Sequence, residues 1–393
     1  NKSKVIGIAL KDRGAILPAG HSANAAYWFD SGNGNWISST YYMKTLPEWV
    51  IEFNKKETAK KYLSQPWTTL LLLQQYTESA AYDNAYEHAF QGEEKPIFPH
   101  NLPELMAKNG GLGLIRSTPF GNSFTKDFAL ETIKQENLGK GSSTDFLAVS
   151  FSSPDYIGHQ FGPQSIEIED CYLRFDKDIA ELLAFIDTWA GKNNTLVFLT
   201  ADHGAVDSSP YLKSNKIPTG VIHEKHISDS LKKFIYRTYG DTLLMKYSDF
   251  NVYLDGNKIE TKKINPEEVQ NTIAAYLRKM DGIAQVITSS SMLEHDLKDP
   301  LRKKVQNGFM HKRSGDLVVV LQPGWVEGYK KGTTHGSPYS YDTHVPLIFY
   351  GWNIRQGSSA EYVEITDIAP TLSMLLNIQF PNGCTGKPIP FLE

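Results

Sequence analysis

The chain has 393 residues, 40% of them hydrophobic and 21% charged, with a formal net charge of −4 at pH 7. That balance, with no long Lys/Arg run, offers no basic face to a nucleic-acid polymer, and no stretch approaches the roughly 20 apolar residues of a membrane span. The length allows two or three domains, or one large α/β domain with insertions. The two cysteines, Cys171 and Cys384, are too few for a disulfide framework and leave a single bridge between them open.

In chain order, Asn1-Lys2-Ser3 leads straight into the apolar run Val5–Leu10, which predicts a buried parallel strand. With no initiator Met and no signal peptide ahead of it, the chain reads as starting in mid-domain. Leu46–Leu63 carries apolar residues at helical spacing and predicts a surface helix. The aromatic- and turn-rich segment 62–121 predicts a cap over a cleft, and Thr125–Asn137 a further helix. A strand is expected at Phe146–Phe151, then a long helix over Ile166–Ala190 with Cys171, Phe175, Ile179, Leu182, Leu183 and Ile186 on its apolar side. Thr195–Thr200 reads as a strand that runs into Asp202-His203-Gly204.

From Asp207 to Gln322 the pattern changes. A helix over Asn265–Met280, opened by Asn-Pro-Glu-Glu, accompanies strands at Phe250–Leu254, Ile283–Thr288 and Asp316–Leu321. Val345–Tyr350 then returns to the main sheet, and Asp367 opens a final helix to Leu376. The fold class expected is α/β: a mixed, mainly parallel sheet covered by helices, with a core over 1–206 and 323–393 and an inserted α+β subdomain over 207–322.

Three short motifs carry the chemistry. In Asp155-Tyr156-Ile157-Gly158-His159 the Asp and His are four apart, so one helical turn puts a carboxylate and an imidazole on one face. The pair follows a predicted strand, and ligands of open α/β sheets gather beyond the carboxyl ends of strands. Asp202 and His203 cap a run of apolar residues, where two polar groups cost desolvation unless something, such as a metal, binds them. The alternative is a carboxylate capping the next helix beside a solvated His. His335 sits between small residues in Thr334-His335-Gly336, which lets the backbone bend toward a metal; His344, before Val345-Pro346, competes for the role. Asp and His are oxygen and nitrogen ligands of the kind Zn²⁺ accepts.

Lys11 and Arg13, two apart at a predicted strand end, would share one face about 7 Å from each other. A solvated basic pair is the commoner outcome of such spacing. The chemical reading is a phosphate clamp, Arg binding two oxygens at once and Lys acting as a point charge. A phosphate monoester, with two charges on its non-bridging oxygens, gains more from such a clamp than a diester with one.

In this order the motifs resemble the alkaline phosphatase superfamily, and most closely the phosphate-irrepressible, PafA-type alkaline phosphatases, relatives of the nucleotide pyrophosphatase/phosphodiesterases. Thr118-Pro119-Phe120-Gly121-Asn122 and Asp367–Leu376 add to the likeness. The resemblance implies an alkaline-phosphatase-like fold and a metal-dependent phosphate monoesterase acting on small phosphate esters through a covalent phospho-enzyme. It implies Asp155, His159 and His335 on a first Zn²⁺, Asp202 and His203 on a second, and Lys11 and Arg13 on the phosphoryl group. It also implies a periplasmic or secreted location. The family's Thr or Ser nucleophile and a further carboxylate of the second metal site lie upstream of the Lys-x-Arg strand, so both are expected outside this chain. A phosphodiesterase on the same scaffold is the alternative, as is an inactive fragment.

Overall fold

A computed structural model describes residues 2–293, 299–328 and 331–390. The chain divides into two compact units: one of residues 1–182 and 201–345, the other of 183–200 and 346–393.

In the larger unit, β1 (Val5–Ala9), β2 (Ala25–Asp30), β3 (Asn35–Ile37) and β4 (Phe146–Ser150) form a sheet in the order β3-β2-β1-β4. The β2–β1 and β1–β4 pairs are parallel, and β3 runs antiparallel to β2. Helix α1 (Asp12–Ala19) follows β1 after a two-residue turn and packs on it closely. A Cβ on Gly7 would lie 2.0 Å from the Ala15 carbonyl oxygen, so only glycine lets helix and strand approach to this distance. Helix α2 (Phe120–Gln135) supplies the aromatic core: Phe128 stacks on Trp36 with ring centroids 4.3 Å apart, and Phe124, Phe53 and Tyr27 surround the pair.

The strand at Phe146–Ser150 feeds α3 (Ser153–Phe161), whose Pro154 sits in the first turn, where its missing N–H costs nothing. Gly162, at φ 94°, ends it. Helix α4 (Ile166–Trp189) then opens with the Ser165 hydroxyl accepting from the Ile168 N–H.

Residues between the second and third motifs build a separate antiparallel sheet. It contains β7 (Leu244–Ser248), β8 (Asn251–Leu254), β9 (Ile283–Thr288) and β10 (Leu317–Leu321), in the order β7-β8-β10-β9. Helices α5 (Glu224–Tyr239) and α6 (Pro266–Leu277) share one buried core with it, including Ile227, Leu231, Val269 and Ile273. The short strands β6 (Gly220–Ile222) and β11 (Trp325–Glu327) pair in parallel. In the smaller unit β5 (Leu196–Thr200) pairs antiparallel with β12 (Leu347–Gly351). No helix among the described residues is long and apolar enough to cross a membrane, and both cysteines are free.

Several sequence expectations shift. The helix expected over Leu46–Leu63 is two, Glu48–Lys55 and Thr58–Leu63, because Glu57 adopts a left-handed conformation at φ 48° and breaks the ladder. Helix α2 starts at Phe120 rather than Thr125. Helix α6 begins on its Asn265 cap, whose side chain accepts from the Glu267 N–H, but stops at Leu277 rather than Met280. Strands β2, β3 and β7 were not anticipated.

The 62–121 segment is anchored by a buried ion cluster. His100, fully buried, places Nδ1 2.8 Å from Glu93 Oε1 and Nε2 3.3 Å from Glu167 Oε1. Burial opposes its charge, but the hydrogen bonds it donates to Glu167 and Glu93 outweigh this and push its pKa up to about 9. Removing one partner of such a cluster strands charge in the core. His100→Leu is expected to cost about 3–5 kcal/mol in urea denaturation of the chain, and a loss under about 1 kcal/mol would show that the cluster adds nothing. Because the folded pKa is raised, the wild-type contribution is complete below about 6.5 and fades as pH rises through about 9.

Candidate metal and phosphate site

All seven residues singled out above lie in the larger unit. The strand β1 ends at Ala9, so Lys11 and Arg13 are not strand neighbours as the spacing suggested. Lys11 is the N-cap of α1, with extended φ −99° and ψ 135°, and Arg13 lies in its first turn. N-caps favour short side chains that accept hydrogen bonds, and cations are unfavourable at the positive end of the helix dipole. Here Lys11 gives no cap. Its ammonium reaches across to Asp155 Oδ2 and stands 4.7 Å from the Tyr156 ring centroid. Arg13 is exposed and has no carboxylate partner among the described residues.

Asp155 lies in the first turn of α3, and its side chain is 17% exposed. Its other oxygen, Oδ1, faces three imidazole Nε2 atoms: His159 at 3.1 Å, His335 at 3.5 Å and His203 at 3.8 Å. Burial works against the ionised carboxyl, but hydrogen bonds from His159, His335 and Lys11 outweigh it and hold the group far below the usual carboxylate range. One ligand atom from each of Asp155, His159 and His335 lies within 4.8 Å of the others, a set able to hold a metal ion. His344 is exposed and takes no part in this set. The His203 ring stacks on that of His335, centroids 3.4 Å apart and planes 11° apart. Asp202 stands at the solvent side, 89% exposed, with Oδ2 3.6 Å from His203 Nε2.

Two imidazoles are oriented from behind. His159 Nδ1 lies 2.9 Å from the Thr333 carbonyl oxygen and His203 Nδ1 2.9 Å from that of Gly204. A carbonyl oxygen can only accept, so each Nδ1 donates to it, which turns Nε2 toward Asp155 as the atom a metal would take. The loop carrying His335 is fixed on both sides. Gly332 has φ 64°, and a Cβ there would meet the His159 carbonyl oxygen at 2.0 Å. Past His335, the buried Asp342 carboxylate accepts from the N–H groups of Gly336 (3.1 Å) and Ser337 (2.7 Å). The Asp342 carbonyl in turn accepts from the Gly204 N–H at 2.7 Å, which ties the second motif to the third.

Sequence reasoning missed Asp342, Thr333 and Tyr156. Only Tyr156 left a signal: one residue after Asp155 on a helix, its side chain leaves the axis about 100° away and faces a neighbouring groove.

Residues 1–345 match the model of the type I phosphodiesterase / nucleotide pyrophosphatase family. The chain is 47% identical over 393 residues to a protein of Myroides odoratus named calcium-transporting ATPase, covering 99% of this chain and 72% of that one. It is 42% identical to the alkaline phosphatase PafA of Elizabethkingia meningoseptica, over 98% of this chain and 71% of the relative. To the alkaline phosphatase PhoV of Synechococcus elongatus it is also 42% identical, over 99% of this chain and 70% of that relative. The crystal structure of wild-type PafA superposes with a TM-score of 0.94 at 41% identity, covering 99% of this chain and 74% of that one. The chain belongs to the type I phosphodiesterase / nucleotide pyrophosphatase family and, as a relative of the PafA-type alkaline phosphatases, is a phosphoric monoester hydrolase with an alkaline-phosphatase-like fold.

Proposed function

We propose that this chain carries the first zinc site and the phosphate clamp of a metal-dependent alkaline phosphatase that works through a covalent phospho-enzyme on small phosphate esters. The observation that carries the reading is the meeting of Lys11 and three imidazoles on one half-buried carboxylate, with Arg13 beside Lys11 on the same helix end. The donor set fits zinc: one carboxylate oxygen and two imidazole nitrogens, the usual three protein ligands of a catalytic site that keeps a position open. Asp155, His159 and His335 would hold that ion, with Asp202 and His203 contributing to a second. When bound, such ions supply Lewis-acid stabilisation of charge on the phosphoryl and leaving oxygens.

The chain's own residues bind and orient the ester. Two cations crowd the positive end of α1, each costing about 0.3–1 kcal/mol as helix electrostatics. A dianionic phosphoryl group relieves that cost, with Arg13 suited to two of its oxygens and Lys11 to one. Both keep their charge as the bond breaks, so they act on the equatorial oxygens throughout. We assign the attacking hydroxyl to a Ser or Thr that precedes β1 in the longer protein. The core over 1–206 and 323–393 would carry the site and 207–322 would be its inserted subdomain. By family likeness we assign the enzyme to the periplasm or the secreted fraction. The name of the Myroides relative points to ATP, whose terminal phosphoryl group also carries two non-bridging charges. A diesterase remains the competing specificity on this scaffold.

Metal binding tests the cage directly. Titration of this chain with Zn²⁺ against a chelator is expected to give about one tightly held ion, since Asp202 and His203 fall short of three protein ligands. Asp342→Ala, which frees the His335 loop, is expected to weaken that binding tenfold or more while far-UV circular dichroism stays unchanged. Two tight ions, or full affinity in the variant, would contradict the assignment.

Arg13 tests the clamp in the longer protein. Arg13→Ala is expected to lower kcat/KM for phenyl phosphate about ten- to hundredfold, the worth of one charge-assisted hydrogen bond. Loss on methyl phenyl phosphate, a diester, should be much smaller, and the melting temperature should hold because Arg13 is exposed. Equal losses on both esters would put the diesterase reading ahead.

A further inference from the structure

Helix α3 presents two faces. Asp155 and His159 point into the cage, while Tyr156 and Gln160, each one residue on, are turned about 100° away. They form one wall of a cleft of about 440 Å³ whose other wall comes from the 88–91 and 108–117 segments. Gln160 pins that far wall by donating to the His88 carbonyl oxygen at 2.6 Å. The cleft's lining holds no Asp or Glu, but it holds Arg116 and Lys108.

Arg116 is held in place by neutral partners alone. Its Nε donates to the Gly113 carbonyl oxygen at 3.2 Å, its Nη1 to the Tyr156 hydroxyl at 3.4 Å, and its guanidinium carbon stands 5.2 Å from the Tyr156 ring centroid. Lys11 is at the same ring, 4.7 Å from its centroid, so Tyr156 separates the cation of the phosphate clamp from the cation of the cleft. Neither Arg116 nor Lys108 has a carboxylate within ion-pair reach among the described residues. A half-buried guanidinium that is fixed by packing and left without a counter-ion is prepared for an oxyanion.

We infer that this cleft takes the leaving group of the ester and that Arg116, helped by Lys108, selects leaving groups carrying a second oxyanion, a carboxylate or a phosphate. The inference rests on the monoesterase reading above and names the substrate class of the same site. Burial of a substrate oxyanion against Arg116 gives the bidentate pairing that the clamp gives the reacting phosphoryl group, one ring further along. A substrate with an uncharged leaving group forgoes it.

The test compares three substrates of the longer protein: phenyl phosphate, 4-carboxyphenyl phosphate and 1,4-phenylene bisphosphate. Arg116→Gln keeps a donor for Gly113 and Tyr156 but removes the charge. For this variant, kcat/KM on the two charged esters is expected to fall at least fivefold further than on phenyl phosphate, mainly through KM. Arg116→Lys should recover part of the difference. Lys108→Ala, at an exposed position that tolerates truncation, should show the same bias at twofold or more and decides the matter if Arg116→Gln does not fold. A bias on only one of the two charged esters identifies which oxyanion the cleft takes. Equal losses on all three substrates would overturn the selectivity while leaving the monoesterase reading intact. A wild-type enzyme inactive on phenyl phosphate would overturn both.

Discussion

The structure turns on one half-buried carboxylate. An ionised Asp taken out of water costs several kcal/mol unless positive charge and donors surround it. Asp155 is surrounded on both oxygens, by Lys11 on one and by His159, His335 and His203 on the other. These five residues come from four segments far apart in sequence: the end of β1, helix α3, the loop after β5, and the loop after β11. Each is brought to Asp155 by a local device that its own secondary structure would not need.

Those devices are mutually dependent. Gly7 lets α1 lie against β1, which sets where Lys11 stands. Gly332, Thr333 and Asp342 fix the His335 loop against α3, and Asp342 also holds Gly204 beside His203. Local preference is set aside where the chemistry sits: a lysine at an N-cap, an arginine in a helix's first turn, and a buried Asp342 whose Oδ1 finds no partner among the described residues. Such departures mark places where folding stability is lower than the backbone allows, and they coincide with the residues proposed to hold phosphate and metal or with their supports.

The sequence pointed to the candidate ligands because ligand chemistry is local. Asp155 and His159 share a helical face, and Asp202-His203 ends a strand, so spacing alone pointed to them. The choice of His335 over His344 followed from its glycine and serine neighbours, and the three-residue cage includes it. The helical content of α4 and α6 was legible from periodicity and caps. What escaped was set by contacts between distant segments. Glu57 breaks a helix whose apolar pattern continues through it. Strand β3 has only three residues and centres on Trp36, whose backbone is paired by the Asn54 side chain as if by another strand. Asp342 resembles any loop acid until its carboxylate is seen to hold Gly336 and Ser337, and its carbonyl the distant Gly204. Lys11 and Arg13 were read at a strand end, whereas a helix begins between them.

The central claim, that Asp155, His159 and His335 form one metal site, is tested most directly by crystals of the protein grown with Zn²⁺ and measured on either side of the zinc absorption edge. An anomalous peak is expected about 2.0–2.2 Å from Asp155 Oδ1 and from Nε2 of His159 and His335. Zinc held only by Asp202 and His203, with His335 turned away from Asp155, would contradict it.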